Sequence, residues 1–253
     1  MNQKMKPRRI RISRENLHGL EAFIDDRGEM SHIRRILRLK VGDAVVLFDG
    51  EGKEYSAAIS HMTSDKISFK LSSGGSLFTA ESPLKIILGV GLLKAAKFDW
   101  LVQKTTELGV SEIIPIASEH VVPLWPGEKN RSRQLRWEKI VSESAKQCGR
   151  AKVPRIHSPC SFEEALDKDF EKTLRLFLWE RETTGTLGKA CGEPASSIYV
   201  LVGPEGGFSE PEALRALQAG FRPIRLGPRV LRAETAGVAI VSLLQFLLGD
   251  LNG

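Results

Sequence analysis

Cysteine is scarce in this chain. Cys148, Cys160 and Cys191 are the only three, an odd number, and none stands in a Cys-x-x-Cys or Cys/His spacing that could hold zinc. No metal is expected, and a reducing cytoplasm fits best. Long apolar runs are missing as well: the longest, Ala236 to Leu248, is too short to span a bilayer, and the basic amino terminus lacks the apolar core of a signal peptide. A soluble protein is therefore expected, with no membrane partner. There is no internal repeat and no low-complexity tract. With 253 residues and 42% hydrophobic content the chain can fill two ordinary cores, which excludes global disorder.

Charge is present in excess but unevenly placed. Residues 1–72 carry 14 Lys or Arg against 10 Asp or Glu, whereas residues 73–253 carry 23 against 21. Lys4, Lys6, Arg8, Arg9, Arg11 and Arg14 all precede the first acidic residue, and a second cluster follows at His32, Arg34, Arg35, Arg38 and Lys40. Such clustering suits a phosphate backbone, since each neutralised phosphate releases counterions, although a plain solvated face has the same composition.

The hydrophobic pattern divides the chain in two. From Arg9 to Leu71 short apolar runs alternate with turn signals such as Asp49-Gly50-Glu51-Gly52, which predicts a small β-barrel over 1–72. Within it Ile33, Ile36 and Leu37 recur at helical spacing, placing Arg34, Arg35 and Arg38 outward. Residues 73–82, rich in Ser and Gly, read as a linker. In 83–253 strands at Leu84 to Val90, Glu112 to Ala117, Leu174 to Trp179, Ser197 to Val202 and Phe221 to Leu226 alternate with helices, including a long one at Arg131 to Cys148. That order calls for an α/β domain with a mostly parallel sheet.

Two glycine-rich loops mark the candidate site. Gly203-Pro204-Glu205-Gly206-Gly207 and Leu226-Gly227-Pro228-Arg229-Val230-Leu231-Arg232 each follow a predicted strand and precede a predicted helix, where ligands meet open α/β sheets. Neither is a Rossmann Gly-x-Gly-x-x-Gly, and neither has the Lys-Ser/Thr of a P-loop, which disfavours a nucleoside triphosphate. Gly89-Val90-Gly91 is either a third such loop or a tight turn that helps align the neighbouring helix. Lys94, Lys97, Lys104 and Glu107 read as a solvated helix face, with Lys104 and Glu107 spaced to pair. The last helix, from Glu234, is apolar nearly all round and must be covered by core or by another subunit.

The two loops resemble the C-terminal signature of SPOUT methyltransferases, specifically the RsmE family. His32-Ile33-Arg34-Arg35-Ile36-Leu37-Arg38, Gln103-Lys104-Thr105-Thr106-Glu107-Leu108-Gly109-Val110 and Gln147-Cys148-Gly149-Arg150 extend the resemblance over nearly the whole chain. It implies a PUA-like RNA-binding barrel, a SPOUT domain with a deep trefoil knot, a homodimer, and S-adenosylmethionine-dependent methylation of uridine N3 in 16S ribosomal RNA of the small subunit. By the same resemblance Leu178, Leu201, Val202, Gly203, Pro204, Glu205, Gly206, Leu226, Gly227, Val230 and Leu231 would hold the cofactor. Arg232 would stabilise the uridinate, with Glu234 either orienting that arginine or receiving the proton. Arg8, Arg9, Arg11, Arg34, Arg35, Arg38 and Lys104 are the RNA-contact candidates, and Cys148 is expected as a buried thiol. A related enzyme with a different base or ribose target and a non-catalytic ribosome assembly factor are the alternatives.

Overall fold

The computed structural model describes residues 8–72, 81–119, 128–192 and 194–252. Lys4, Lys6 and all of the expected linker except Glu81 and Ser82 lie outside them. The chain forms two compact units, one of residues 1–81 with 145–153, the other of 82–144 with 154–253.

The first unit contains β1 (Arg8–Arg11), β2 (Leu17–His18), β3 (Glu21–Ile24), α1 (Arg27–Ser31), β4 (Ala44–Phe48), β5 (Glu54–Met62) and β6 (Ile67–Leu71). They make one mixed sheet in the order β1-β4-β5-β6-β3-β2, with β1 and β4 parallel and the other pairs antiparallel. Ile10, Ile24, Leu47, Ile59 and Phe69, drawn from five strands, share one core, so the sheet wraps around its own interior. In β6 burial alternates residue by residue, as a sheet with one wet face requires.

Alternation fails at the basic helix, and the reason is local. After α1 the turn His32–Ile36 is π-helical: the Leu37 N–H donates to His32 O at 3.0 Å and the Leu39 N–H to Ile33 O at 3.1 Å. The wider turn rotates the following side chains, so Ile33 is fully buried while Ile36, expected inward, is 70% exposed. Arg38 then takes a positive φ of 53° to end the turn.

The second unit is a parallel sheet. It is built from β7 (Lys85–Gly91), α2 (Ala95–Glu107), β8 (Glu112–Ala117), α3 (Glu128–Cys148, whose last four residues belong to the first unit), β9 (Arg155–Ile156), β10 (Cys160–Ser161), α4 (Phe162–Leu166), β11 (Leu174–Leu178), α5 (Leu187–Ala190), β12 (Ser197–Val202), α6 (Glu210–Gln218), β13 (Arg222–Ile224) and α7 (Ala233–Leu248). The strand order is β10-β8-β7-β12-β11-β13, with β9 also on β8. The central strands β7 and β12 are buried almost throughout, because both faces are covered. On one face Phe162 of α4 and Ala213 and Ala216 of α6 pack on Ile87, Tyr199 and Leu201; α7 packs on β7, β12 and α2.

Several motifs of the resemblance are helix endings. Gly109, at φ 89°, closes α2: its N–H donates to Thr106 O at 3.1 Å and the Val110 N–H to Thr105 O at 3.0 Å. Gly149, also at φ 89°, turns the chain out of α3. Arg150 that follows is buried in the first unit, where it binds Glu81 at 3.0 Å and its carbonyl accepts from Arg9 at 2.9 Å. Cys148 just before is half-buried rather than fully buried. Gly89 and Gly91 serve packing, since a Cβ at either would come within 2.5 Å of Leu201 or of the Pro204 nitrogen.

Candidate functional site

Three adjacent parallel strands, β12, β11 and β13, end on the same edge of the sheet, and the loops leaving them enclose one cleft. Its walls are Leu178 to Glu180 after β11, the Gly203-Pro204-Glu205 loop with Gly207 after β12, and Leu226 to Leu231 after β13, with Ala233 and Ala236 of α7. The space is about 860 Å³ including the open mouth. Apolar side chains and glycine backbone share it with charged groups: Glu180 and Glu205 bring carboxylates, Arg225 and Arg229 guanidinium groups.

The lining gathers Leu178, Val202, Gly203, Pro204, Glu205, Leu226, Gly227, Val230 and Leu231 from the sequence candidates. Leu201 is placed elsewhere: one residue before Val202 on a strand, it faces the opposite way and is fully buried against α4 and α6. Gly206 is exposed and outside the lining. A Cβ on Gly203 would meet the Gly207 carbonyl carbon and the Phe208 nitrogen, both at 3.1 Å, so the loop closes tightly on itself there. Gly227 stands in open space at φ 80°, where glycine serves the backbone conformation instead. Trp179 and Glu180 were not foreseen, because the sequence carries no loop signature after β11.

Arg232 and Glu234 flank the cleft without lining it. Arg232 is exposed and begins α7 with its backbone, not with its side chain. Glu234 is not paired with it; the neighbouring cation is Lys97 of α2, with Nζ 3.6 Å from Glu234 Oε1 and in contact with Glu205 as well. The contact with Glu205 raises the Lys97 ammonium above its ordinary value, and the same contact holds the Glu205 carboxyl below its own. Sequence reasoning assigned Lys97 to a solvated face. A signal was available: Lys94 caps α2 and Lys97 sits in its first turn, with no acid there, so both cations oppose the helix dipole.

The basic candidates divide by what already holds them. Arg9 is 20% exposed, pairs with Glu54 at 2.5 Å and lies over the Phe48 ring, so it is built into the fold. Arg14 is engaged by Asp49 at 3.1 Å and Glu51 at 2.6 Å. Arg34 donates to Thr63 O, and Lys104 to both carboxylate oxygens of Glu107 at 2.9 Å. Arg8, Arg35 and Arg38 are exposed, and so is Arg11, which has a partner of its own.

Residues 80–245 match a family model described as an RNA methyltransferase domain, and residues 24–72 one described as an RNA methyltransferase PUA domain. Fold and site thus have the class of an RNA methyltransferase. Ribosomal RNA small subunit methyltransferase E of Bacillus subtilis is 29% identical over 96% of this chain and 97% of its own length. Its namesake from Buchnera aphidicola subsp. Schizaphis graminum is 32% identical over 87% of this chain and 89% of its own. A crystal structure of Ribosomal RNA small subunit methyltransferase E from Neisseria gonorrhoeae, bound to S-adenosyl methionine, aligns at 30% identity and a TM-score of 0.87. It covers 97% of this chain and 100% of that one. The chain belongs to the family of ribosomal RNA small subunit methyltransferase E proteins, as the motifs implied.

Proposed function

We propose that this protein transfers the methyl group of S-adenosylmethionine to N3 of a uracil in 16S ribosomal RNA. The observation that carries the reading is the single cleft made by three loops at the ends of β12, β11 and β13. Its chemistry fits the cofactor: apolar walls suit an adenine, glycine backbone offers main-chain groups at close range, and the Glu205 carboxylate suits a cationic portion. Bound there, the cofactor would supply an electrophilic methyl carbon, with sulfur as the leaving group that keeps the electron pair of the carbon–sulfur bond.

The protein's own task is to prepare the nucleophile. Uracil N3 carries a proton whose pKa lies roughly two units above neutrality, so baring the anion costs about 3 kcal/mol at neutral pH. Arg232, exposed beside the cleft, brings a guanidinium to the developing negative charge. Glu234, at the first turn of α7 beside Lys97, is the acceptor for the N3 proton. Exposed Arg8, Arg11, Arg35 and Arg38 of the first unit would hold RNA phosphates.

The same reading includes a homodimer and a knot. Leu243, Phe246 and Leu247 leave an apolar stripe of α7 exposed, Phe246 by 55%, and a second copy would cover it. β13 lies beyond β11 at the sheet edge while α7 packs on β7 and β12, and a return of the chain across the sheet end suits a trefoil crossing. The small ribosomal subunit is the proposed partner, in the cytoplasm. Incubation with labelled cofactor and either free 16S RNA or assembled small subunits, followed by nucleoside analysis, tests the activity. Label on N3 of uridine is expected; label on another base, on ribose or on nothing sinks it.

A further inference from the structure

Glu234 Oε2 is the anomaly of the site. It is buried and has no hydrogen-bond partner, while Oε1 of the same carboxylate faces Lys97 at 3.6 Å. Buried acceptors normally find a donor, so an oxygen held this way points to a donor that arrives from outside. We propose that Lys97 is a positioning residue for methyl transfer: its ammonium joins the carboxylates of Glu205 and Glu234 and so keeps Glu234 Oε2 aimed as the acceptor for the uracil N3–H. This rests on the proposed uracil-N3 chemistry.

Three elements meet at Lys97. It belongs to α2, Glu205 to the loop after β12, and Glu234 to the first turn of α7. The charged groups around Glu234 are Lys97, with Lys94 behind it on α2, Glu205, and Arg232 on its own chain segment. α2 also carries Asp99, paired with Arg136, and Lys104, paired with Glu107, while β7 and β12 bring Lys85, paired with Glu112, and the buried Tyr199. Lys97 is therefore the cation in contact with both acids. Without it Glu205 and Glu234 would repel each other, and one would take up a proton or turn away. In the transfer itself the N3–H bond breaks, its proton passes to Glu234 Oε2, and its electron pair stays on N3 to form the bond to the methyl carbon.

Single-turnover methylation from acidic to alkaline pH, with saturating S-adenosylmethionine and substrate RNA, tests the role. Lys97→Met should lose about tenfold in rate at neutral pH, and its acid limb should move up by about one pH unit, because a counter-ion of both carboxylates is gone. Lys97→Arg should restore rate and limb together. Lys97→Met combined with Glu205→Gln should bring the limb back down, since the repelling neighbour is then neutral. A slow Lys97→Met with an unmoved acid limb, a rate that arginine does not rescue, or a loss wholly explained by cofactor affinity overturns the proposal. Thermal melting accompanies each variant, with Lys97→Gln read in the same way should methionine prevent folding. Glu234→Gln separates the two readings: a wild type that does not methylate uridine removes the function, whereas an active wild type matched by Glu234→Gln removes only the role of Glu234 and of Lys97 behind it.

Discussion

The loops that follow β12 and β13 and the basic turn that follows α1 are both irregular backbone at a candidate binding surface, yet they are made from opposite materials. The loops use glycine, with Gly207 at φ 70° and Gly227 at φ 80°, and present main chain and short apolar walls. The turn uses a π-helical widening and a left-handed Arg38, and presents exposed Arg35, Ile36 and Arg38. Removing side chains lets a small ligand approach backbone groups; extending charged ones reaches a polyanion of variable shape. A substitution in the first should act through shape, and one in the second through charge.

The largest expected effect comes from shape. Gly203→Val should reduce S-adenosylmethionine affinity by at least about 100-fold, because its Cβ meets loop backbone at 3.1 Å and its branches project into the cleft wall. Gly227→Ala adds an atom in open space and should cost only the backbone strain, about 1–2 kcal/mol. Calorimetry on both folded variants makes the comparison. Equal losses would mean that the loops are not specialised in this way, and no loss in either would remove the cleft as the cofactor site.

Arg232→Ala stands between the two materials, a charge placed at the mouth of a shaped cleft. It should lower the single-turnover rate by about 100-fold with little change in affinity for cofactor or RNA, and raising the pH should recover part of the loss as uridinate forms unaided. A slow variant with the wild-type pH profile would make Arg232 a scaffold or RNA contact.

Charge alone should govern the basic turn. Arg35→Ala with Arg38→Ala should weaken RNA binding and lower the salt slope by about 1.4–1.8, at about 0.7 per phosphate contact on single strands and 0.9 on a duplex. Arg9→Ala is the internal control: its guanidinium is held by Glu54 and the Arg150 carbonyl, so it should lower Tm and leave the salt slope nearly unchanged. If Arg9 rather than the Arg35 and Arg38 pair carried the salt slope, exposure would be a poor guide to which arginines meet RNA.

The two materials were also unequally legible. Glycine loops after apolar runs could be placed by spacing, and nearly all the lining named from them is there; Leu201 differs only because strand alternation sends neighbouring residues to opposite faces. The basic turn misled at Ile36, since helical spacing assumes 3.6 residues per turn and nothing in the sequence announces a π turn. Formal charge says nothing of what holds Arg9 and Arg14, whose acidic partners lie about 35 or more residues away and meet them only through sheet pairing. The partners of Lys97 fall under the same limit, since they come from two later elements, although its place in an acid-free first turn of α2 was legible.

The smallest effect belongs to a carboxylate at the opposite end of the same sheet. Glu112, at the start of β8, accepts from His157 at 2.7 Å and pairs with Lys85 at 2.7 Å; the His157 hydrogen bond, then Lys85, lower its pKa from 4.5 to about 2. A depressed folded-state pKa means that the stabilisation is fully present above pH 4.5 and is lost as pH falls toward 2. Glu112→Gln should therefore lower Tm above that window and converge with wild type at its acid end. Because Glu112 keeps some contact with water, the net contribution is discounted to about 1 kcal/mol, or about 2–4 °C in Tm for a chain of this size. Cofactor affinity and methylation rate should not change, since no residue of the cleft touches this cluster. Melting curves through the acid range decide it: a gap that does not depend on pH would mean that packing, not ionisation, is what Glu112 contributes. A change in transfer rate would mean that the two ends of the sheet are coupled, and the division between a functional edge and a structural one would fail.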